Sequence, residues 1–278
     1  MRYKLGLYEK SMPNELSLIE KLEMTAKTGY DYLELSIDET DEKLARLDWS
    51  VGEVDALKDA IKETTVPIKS ICLSGHRKYP LGSRDEAVQC RSLEIMQKAV
   101  TLASKLGVAI IQLAGYDVYY EQSGDDTVEI FAKNLEKAAE MAATEGVLLG
   151  FETMETDFLD TVEKAMVWVN KVNSPYLHIY PDIGNLTNAA KIYENCPTDD
   201  LRKGAGHIIA VHLKETKPGI YREVPYGDGH VDFDAICRQA LSMGVRMFVG
   251  EFWYTGEKNW QEILQKNNTF LRERLNKF

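Results

Sequence analysis

Nothing in this chain is composed to hold a polyanion, a membrane or a disulfide framework. Lys and Arg number 33 against 44 Asp and Glu, a formal charge of −11. The broad basic face with which proteins clamp a phosphate backbone is therefore missing, and a nucleic-acid partner is not expected. A small anionic ligand is still allowed if cations gather locally. The apolar runs are short, and none approaches the ~20 residues a bilayer crossing needs. The opening stretch, MRYKLGLYEK, lacks the apolar core of a secretory leader. The four cysteines (Cys72, Cys90, Cys196 and Cys237) show no CxxC or zinc-ribbon spacing. They read as reduced thiols, Cys72 as a small core residue, and the expected location is the cytoplasm. Linkers rich in Pro, Gly or Ser, low-complexity tracts and charge blocks are lacking too, as is any GxGxxG or Walker sequence after a strand. One even composition across residues 1–278 predicts a single domain that buries most of its surface without cross-links.

What is present is a repeat of strand-like and helix-like segments. Apolar, β-branched runs occur at 4–9, 30–37, 67–75, 108–115, 147–153, 177–185, 207–215 and 246–253. Continuous apolar runs of this length are how strands read when both faces are buried in a parallel sheet. Helix-period segments separate most of them. Residues 16–29 end on Gly29, residues 85–107 begin on a capping Asp85 and stop at Gly107, and residues 125–146 repeat the pattern. The sixth interval is the weakest, with only a short helix expected after Pro197. Eight strand–helix units predict an α/β fold of the (β/α)8 TIM-barrel class rather than an open doubly wound sheet.

In that fold the active site lies at the C-terminal ends of the strands. The residues expected there are Glu9, Glu34, Ser36, Ser74, His76, Gln112, Tyr116, Glu152, Asp182, His212 and Glu251. The last four stand out. Each ends an apolar run, and they are spaced by 30, 30 and 39 residues, one from each of the last four strands. Taken singly, Glu152 and Asp182 could be a solvated strand end and a turn residue, and His212 a hydrogen-bonded core histidine. Together, three carboxylates and an imidazole at apolar strand tips would be costly to bury unpaired and suit one divalent cation: Mn, Zn, Co or Mg.

The spacing of Glu152, Asp182, His212 and Glu251 resembles the xylose-isomerase-like barrel superfamily. The segments LGLYEK, LELSIDETDEKLARLDWS, CLSGHRKYPLGS, IQLAGYDVYY, YPDIGNL and VHLKETKPG resemble, more closely, the L-ribulose-5-phosphate 3-epimerases, also called L-xylulose-5-phosphate 3-epimerases. The resemblance runs from about residue 4 to about residue 255. It implies one divalent metal on those four residues, Glu152 and Glu251 as the acid/base pair, a phosphorylated ketose substrate, a role in L-ascorbate utilisation and a homodimer, for which residues 116–121 offer a surface. Free-ketose epimerases usually carry His where this chain has Asn185, and Arg near the position of Lys217 and Pro218. These departures favour the phosphosugar group and leave the metal set intact.

A phosphate needs cations. The loop after the third strand offers His76, Arg77, Lys78 and Arg84; the loop after the seventh offers Lys214, Lys217 and Arg222. His76, Arg77, Asn185, Lys214, Lys217 and Glu9 are the substrate-binding candidates, with Tyr8, Tyr116, Trp253 and Tyr254 as walls. A ketose–aldose isomerase, a free-ketose 3-epimerase and a non-catalytic sugar-phosphate sensor are the competing readings on the same scaffold. A DNA-repair endonuclease would need more histidine ligands than the five present and a basic face.

Overall fold

Eight parallel strands wrap around a common axis in a computed structural model that describes residues 3–278. They are β1 (Lys4–Tyr8), β2 (Tyr32–Ile37), β3 (Ile68–Leu73), β4 (Ile110–Ala114), β5 (Leu148–Glu152), β6 (Leu177–Ile179), β7 (Val211–Leu213) and β8 (Met247–Gly250). Every neighbouring pair from β7 through β8 and β1 round to β6 forms a parallel ladder. The remaining seam is joined by two isolated parallel bridges, Ile179 to Ile208 and Asp182 to His212. The second bridge matters for function, because it sets two of the four proposed ligands side by side.

The helices outside the strands are α1 (Leu18–Lys27), α2 (Asp41–Ala45), α3 (Val51–Thr64), α4 (Glu86–Leu106), α5 (Asp125–Glu145), α6 (Val162–Val172), α7 (Ile183–Ile192), α8 (Pro197–Lys203), α9 (Phe233–Ser242) and α10 (Trp260–Leu275). Local chemistry sets their ends. Ser17 and Glu20 form a capping box on α1, Ser50 and Glu53 another on α3, and Asp85 accepts the Ala87 amide at the start of α4. Gly107 and Gly146 close α4 and α5 with φ of 69° and 68°, the left-handed conformation that glycine adopts without penalty.

The predicted strand run 177–185 is shorter than expected. It ends at Ile179, and Ile183 already belongs to α7, with Asp182 as its N-cap. The apolar Ile183 disguised a helix start as a strand continuation. The sixth interval thus holds two helices, α7 before Pro197 and α8 starting on it.

The apolar material is layered. Leu5, Leu7, Leu33, Leu35, Ile71 and Leu113 point outward against the helices. Tyr8, Tyr32, Cys72, Ile110, Tyr180, Ala210 and Val249 fill the interior. Gly6 makes room for this plug, since a Cβ there would lie 2.4 Å from the Tyr32 ring. The filled interior leaves the polar C-terminal mouth as the place where a ligand can enter. No helix of the described residues is long and apolar enough to cross a membrane.

Candidate active site

Glu152 ends β5, Glu251 follows β8, His212 lies in β7 and Asp182 caps α7. All four are buried, and one ligand atom from each lies within 4.8 Å of all the others. His212 organises the group. Its Nδ1 is 3.0 Å from Glu152 Oε1 and 3.2 Å from Glu251 Oε2, while its Nε2 is 2.6 Å from Glu34 Oε1. Glu34 is fully buried and also accepts hydrogen bonds from Ser70 Oγ (2.6 Å) and Tyr180 OH (2.8 Å). A carboxylate so held fixes the proton on Nε2 and leaves the Nδ1 lone pair facing the cluster, the usual support for a metal-ligating histidine.

The other members of the cluster are held as firmly. Gln112 Nε2 donates to Glu152 Oε2. Asp182 Oδ1 accepts the Asn185 amide (2.8 Å), and the Asp182 amide donates to Thr153 Oγ1 (3.0 Å). Asn185 Nδ2 donates to the Thr153 carbonyl (2.7 Å), and its Oδ1 accepts from Lys214 Nζ (2.8 Å). The tips of β5 and β7 are thereby stitched to the start of α7. Gly184 permits the close approach, because a Cβ there would meet the Lys214 carbonyl at 3.0 Å and Thr216 Cγ2 at 2.7 Å.

The protein's own groups leave the cluster incomplete. Asp182 Oδ2 and Glu251 Oε2 are buried without a hydrogen bond. Lys214 Nζ stands 2.9 Å from Asp182 Oδ2 and 3.9 Å from Glu251 Oε2, close enough for charge attraction but without hydrogen-bonding geometry at the aspartate. Burial pushes the Asp182 carboxyl up to about 7, against the pull of Lys214. Burial disfavours the His212 cation, but Glu34, Glu251 and Glu152 outweigh it and raise its pKa well above the usual value, so a proton and a divalent cation compete for Nδ1. Burial acts the same way on Glu251, where Lys214 and His212 prevail and hold the carboxyl below its ordinary range. Oxygen-rich ligands with one imidazole, two orphaned carboxylate oxygens and a histidine locked by a buried glutamate fit a divalent ion.

Around this cluster a cavity is lined by Tyr8, Lys10, Cys72, Ser74, Arg77, Met154, Glu155, Asn185, Lys214, Tyr221, Arg222 and Trp253, with Glu152 and Glu251 in its floor. Tyr8 and Trp253 meet edge to face at 6.1 Å and form an aromatic wall. Of the six substrate-binding candidates, Arg77, Asn185 and Lys214 line this cavity; Glu9, His76 and Lys217 do not.

The exceptions have physical reasons. β1 ends at Tyr8, which faces the cavity, and Glu9 opens a 3-10 turn that carries its side chain toward the helices. There it is fully buried and bound by Lys21 (3.1 Å), Lys43 (2.7 Å) and Arg46 (2.6 Å). His76 turns away to the Ser92 carbonyl (3.1 Å), and burial lowers its pKa to about 4. Lys217 is exposed, with its backbone paired to Ile220 in a turn. Lys10, Glu155 and Tyr221 are cavity residues that the sequence did not single out; they sit in loops with no periodicity to mark them.

Comparison with known proteins agrees with this geometry. The profile of the family described as xylose isomerase-like TIM barrel matches residues 22–274. An L-ribulose-5-phosphate 3-epimerase UlaE of Escherichia coli (strain SMS-3-5 / SECEC) is 45% identical over 237 residues, 85% of this chain and 82% of that protein. The protein of the same name from Salmonella paratyphi A is 40% identical over 275 residues, 98% of this chain and 95% of that one. Among solved structures, D-psicose 3-epimerase with D-tagatose from Clostridium cellulolyticum H10 superposes with a TM-score of 0.81 at 17% identity. It covers 98% of this chain and 99% of that chain. At that identity the likeness speaks for the fold. The chain belongs to the xylose isomerase-like TIM barrel family, and its curated relatives at 40–45% identity are named L-ribulose-5-phosphate 3-epimerases.

Proposed function

We propose that this member of the xylose isomerase-like barrel family inverts C3 of a ketopentose 5-phosphate, interconverting L-xylulose 5-phosphate and L-ribulose 5-phosphate. The observation that carries the reading is the pairing of Glu152 and Glu251 about His212 Nδ1, one carboxylate from β5 and one from β8, at the floor of a cavity with cations at its mouth. The names of the relatives supply the substrate class.

Inversion beside a ketone requires a proton to leave C3 on one face and return on the other. Glu152 and Glu251 are the two groups for this, one taking the proton and the other giving one back, with an enediolate between the steps. Gln112 donates to Glu152 and fixes its orientation, and Lys214 keeps Glu251 ionised against its burial. Glu152, Asp182, His212 Nδ1 and Glu251 would hold one divalent ion, whose chemistry is to withdraw electron density from the 2-keto oxygen and so acidify the C3–H bond. Lys214 adds a positive charge beside the same oxygen. Tyr8 and Trp253 shield one side of the sugar from water.

The test is product analysis. L-xylulose 5-phosphate should yield L-ribulose 5-phosphate, and the free ketoses should react far more slowly. Equal rates on L-xylulose and its 5-phosphate would revive a free-ketose epimerase, and appearance of an aldose would favour a ketose–aldose isomerase.

A further inference from the structure

Four carboxylates are buried about His212: Glu34, Glu152, Asp182 and Glu251. Among the described residues, Lys214 is the one Lys or Arg that forms an ion pair with any of them. It follows directly on β7 and is itself buried. Its Nζ lies 2.9 Å from Asp182 Oδ2 and 3.9 Å from Glu251 Oε2, and these are the same two oxygens that lack a hydrogen bond.

Lys214 thus brings charge to the acids without a bond to them. Its hydrogen bond goes elsewhere, to Asn185 Oδ1 at 2.8 Å. A lysine placed to complete a static buried ion pair would aim an N–H at Asp182, because such a pair offsets its desolvation only with good geometry. Here the aligned donor meets a neutral amide, and the lone pairs of Asp182 Oδ2 stay open. Asn185 is fixed in turn by the Thr153 carbonyl, which its Nδ2 reaches at 2.7 Å. The Trp253 ring, 5.8 Å from Nζ, gives the ammonium a second favourable surface.

We infer that Lys214 is a placeholder cation. It neutralises Asp182 and Glu251 while no metal is bound and draws back onto Asn185 when a divalent ion takes the two oxygens. The inference rests on reading Glu152, Asp182, His212 and Glu251 as the ligands of that ion. Asn185 is the tether, since its Oδ1 holds Nζ in both states and keeps the exchange short. Lys214 therefore preserves an open, charged site in the metal-free protein. The same lysine lowers metal affinity, because a unit positive charge stays close to a divalent cation and repels it.

The probe is Zn or Mn alone, titrated into metal-stripped protein against a chelator of known affinity, with thermal melts of the stripped and loaded forms. Lys214→Met keeps most of the stem and removes the charge. It should bind the ion about tenfold more tightly, whereas simple packing damage would weaken binding. Stripped of metal, it should melt roughly 5–10 °C below stripped wild type, because two buried carboxylates have lost their cation. Loading should then raise its melting temperature by more than it raises that of wild type. The Asp182→Asn/Lys214→Met double variant should recover most of the stripped-state loss, even if the single variant does not fold without metal. Ion affinity in Lys214→Met equal to or below that of wild type would overturn the placeholder, as would equal melting of the stripped proteins. Wild type that binds no divalent ion would overturn the ligand reading itself and this inference with it, a result distinct from binding without a gain in the variant.

Discussion

Replacing Glu34 with Gln removes one charge and leaves the shape of the site alone. Glu34 Oε1 faces His212 Nε2 at 2.6 Å, and Oε2 takes the hydroxyls of Ser70 and Tyr180. If the amide oxygen of Gln keeps the place of Oε2, its NH2 confronts the Nε2–H of His212. The imidazole must then move its proton to Nδ1, where it blocks the lone pair aimed at Glu152 and Glu251. If the oxygen keeps the place of Oε1, the histidine tautomer survives but the charge behind it is gone. Either arrangement weakens the ligand. Loss of a carboxylate behind a metal-bound histidine costs about 10- to 100-fold in metal affinity, or roughly 1.4–2.7 kcal/mol. Ser70→Ala removes only one neutral donor from Glu34 and should cost less, about 1 kcal/mol or under. Competition against a chelator with a known affinity for Mn or Zn measures both. Metal affinity in Glu34→Gln equal to wild type, in a protein with an unchanged thermal transition, would refute the account of His212 as a ligand through Nδ1.

Glu9→Gln should destabilise the fold by about 3–5 kcal/mol, because it leaves Lys21, Lys43 and Arg46 buried without their shared anion. Burial opposes the ionised Glu9, but the three cations outweigh it and hold its pKa far below the ordinary range. A folded-state pKa below the unfolded one means the stabilisation is complete above about pH 4–5 and is lost as pH falls further. The difference between wild type and Glu9→Gln in urea melts should therefore shrink on acidification; a difference that grows would contradict this. For the proposed acid/base pair, Glu152→Gln and Glu251→Gln should each abolish epimerisation. Each metal-loaded variant should still exchange the C3 hydrogen of the one epimer whose base it retains, and near-normal epimerase activity in either would sink the two-carboxylate mechanism.

The barrel was legible because a parallel strand buried on both faces leaves an uninterrupted apolar signature, and all eight such runs contain a strand. The buried cluster was legible for a related reason: Glu152, His212 and Glu251 break that signature abruptly at its end. Direction was not legible. Glu9 and Tyr8 are neighbours at one strand tip, and only the point at which β1 gives way to the turn decides which of them reaches the cavity. Nothing in the sequence marks Lys21, Lys43 and Arg46 as interior, yet they are buried because Glu9 recruits them from 12, 34 and 37 residues away. Glu34 and Gln112 were visible as polar strand ends without a task. The partner that gives Glu34 its task, His212, lies 178 residues away and meets it only once the barrel closes. Glu155 and Tyr221 occupy loops whose course depends on the barrel beneath them.

The central claim is that the site moves a proton at C3, and isotope exchange reads this directly. Metal-loaded protein incubated with L-xylulose 5-phosphate in deuterated water should place deuterium at C3 of the ketose pool, together with formation of L-ribulose 5-phosphate. Deuterium at C1 or C2 with C3 untouched would contradict it.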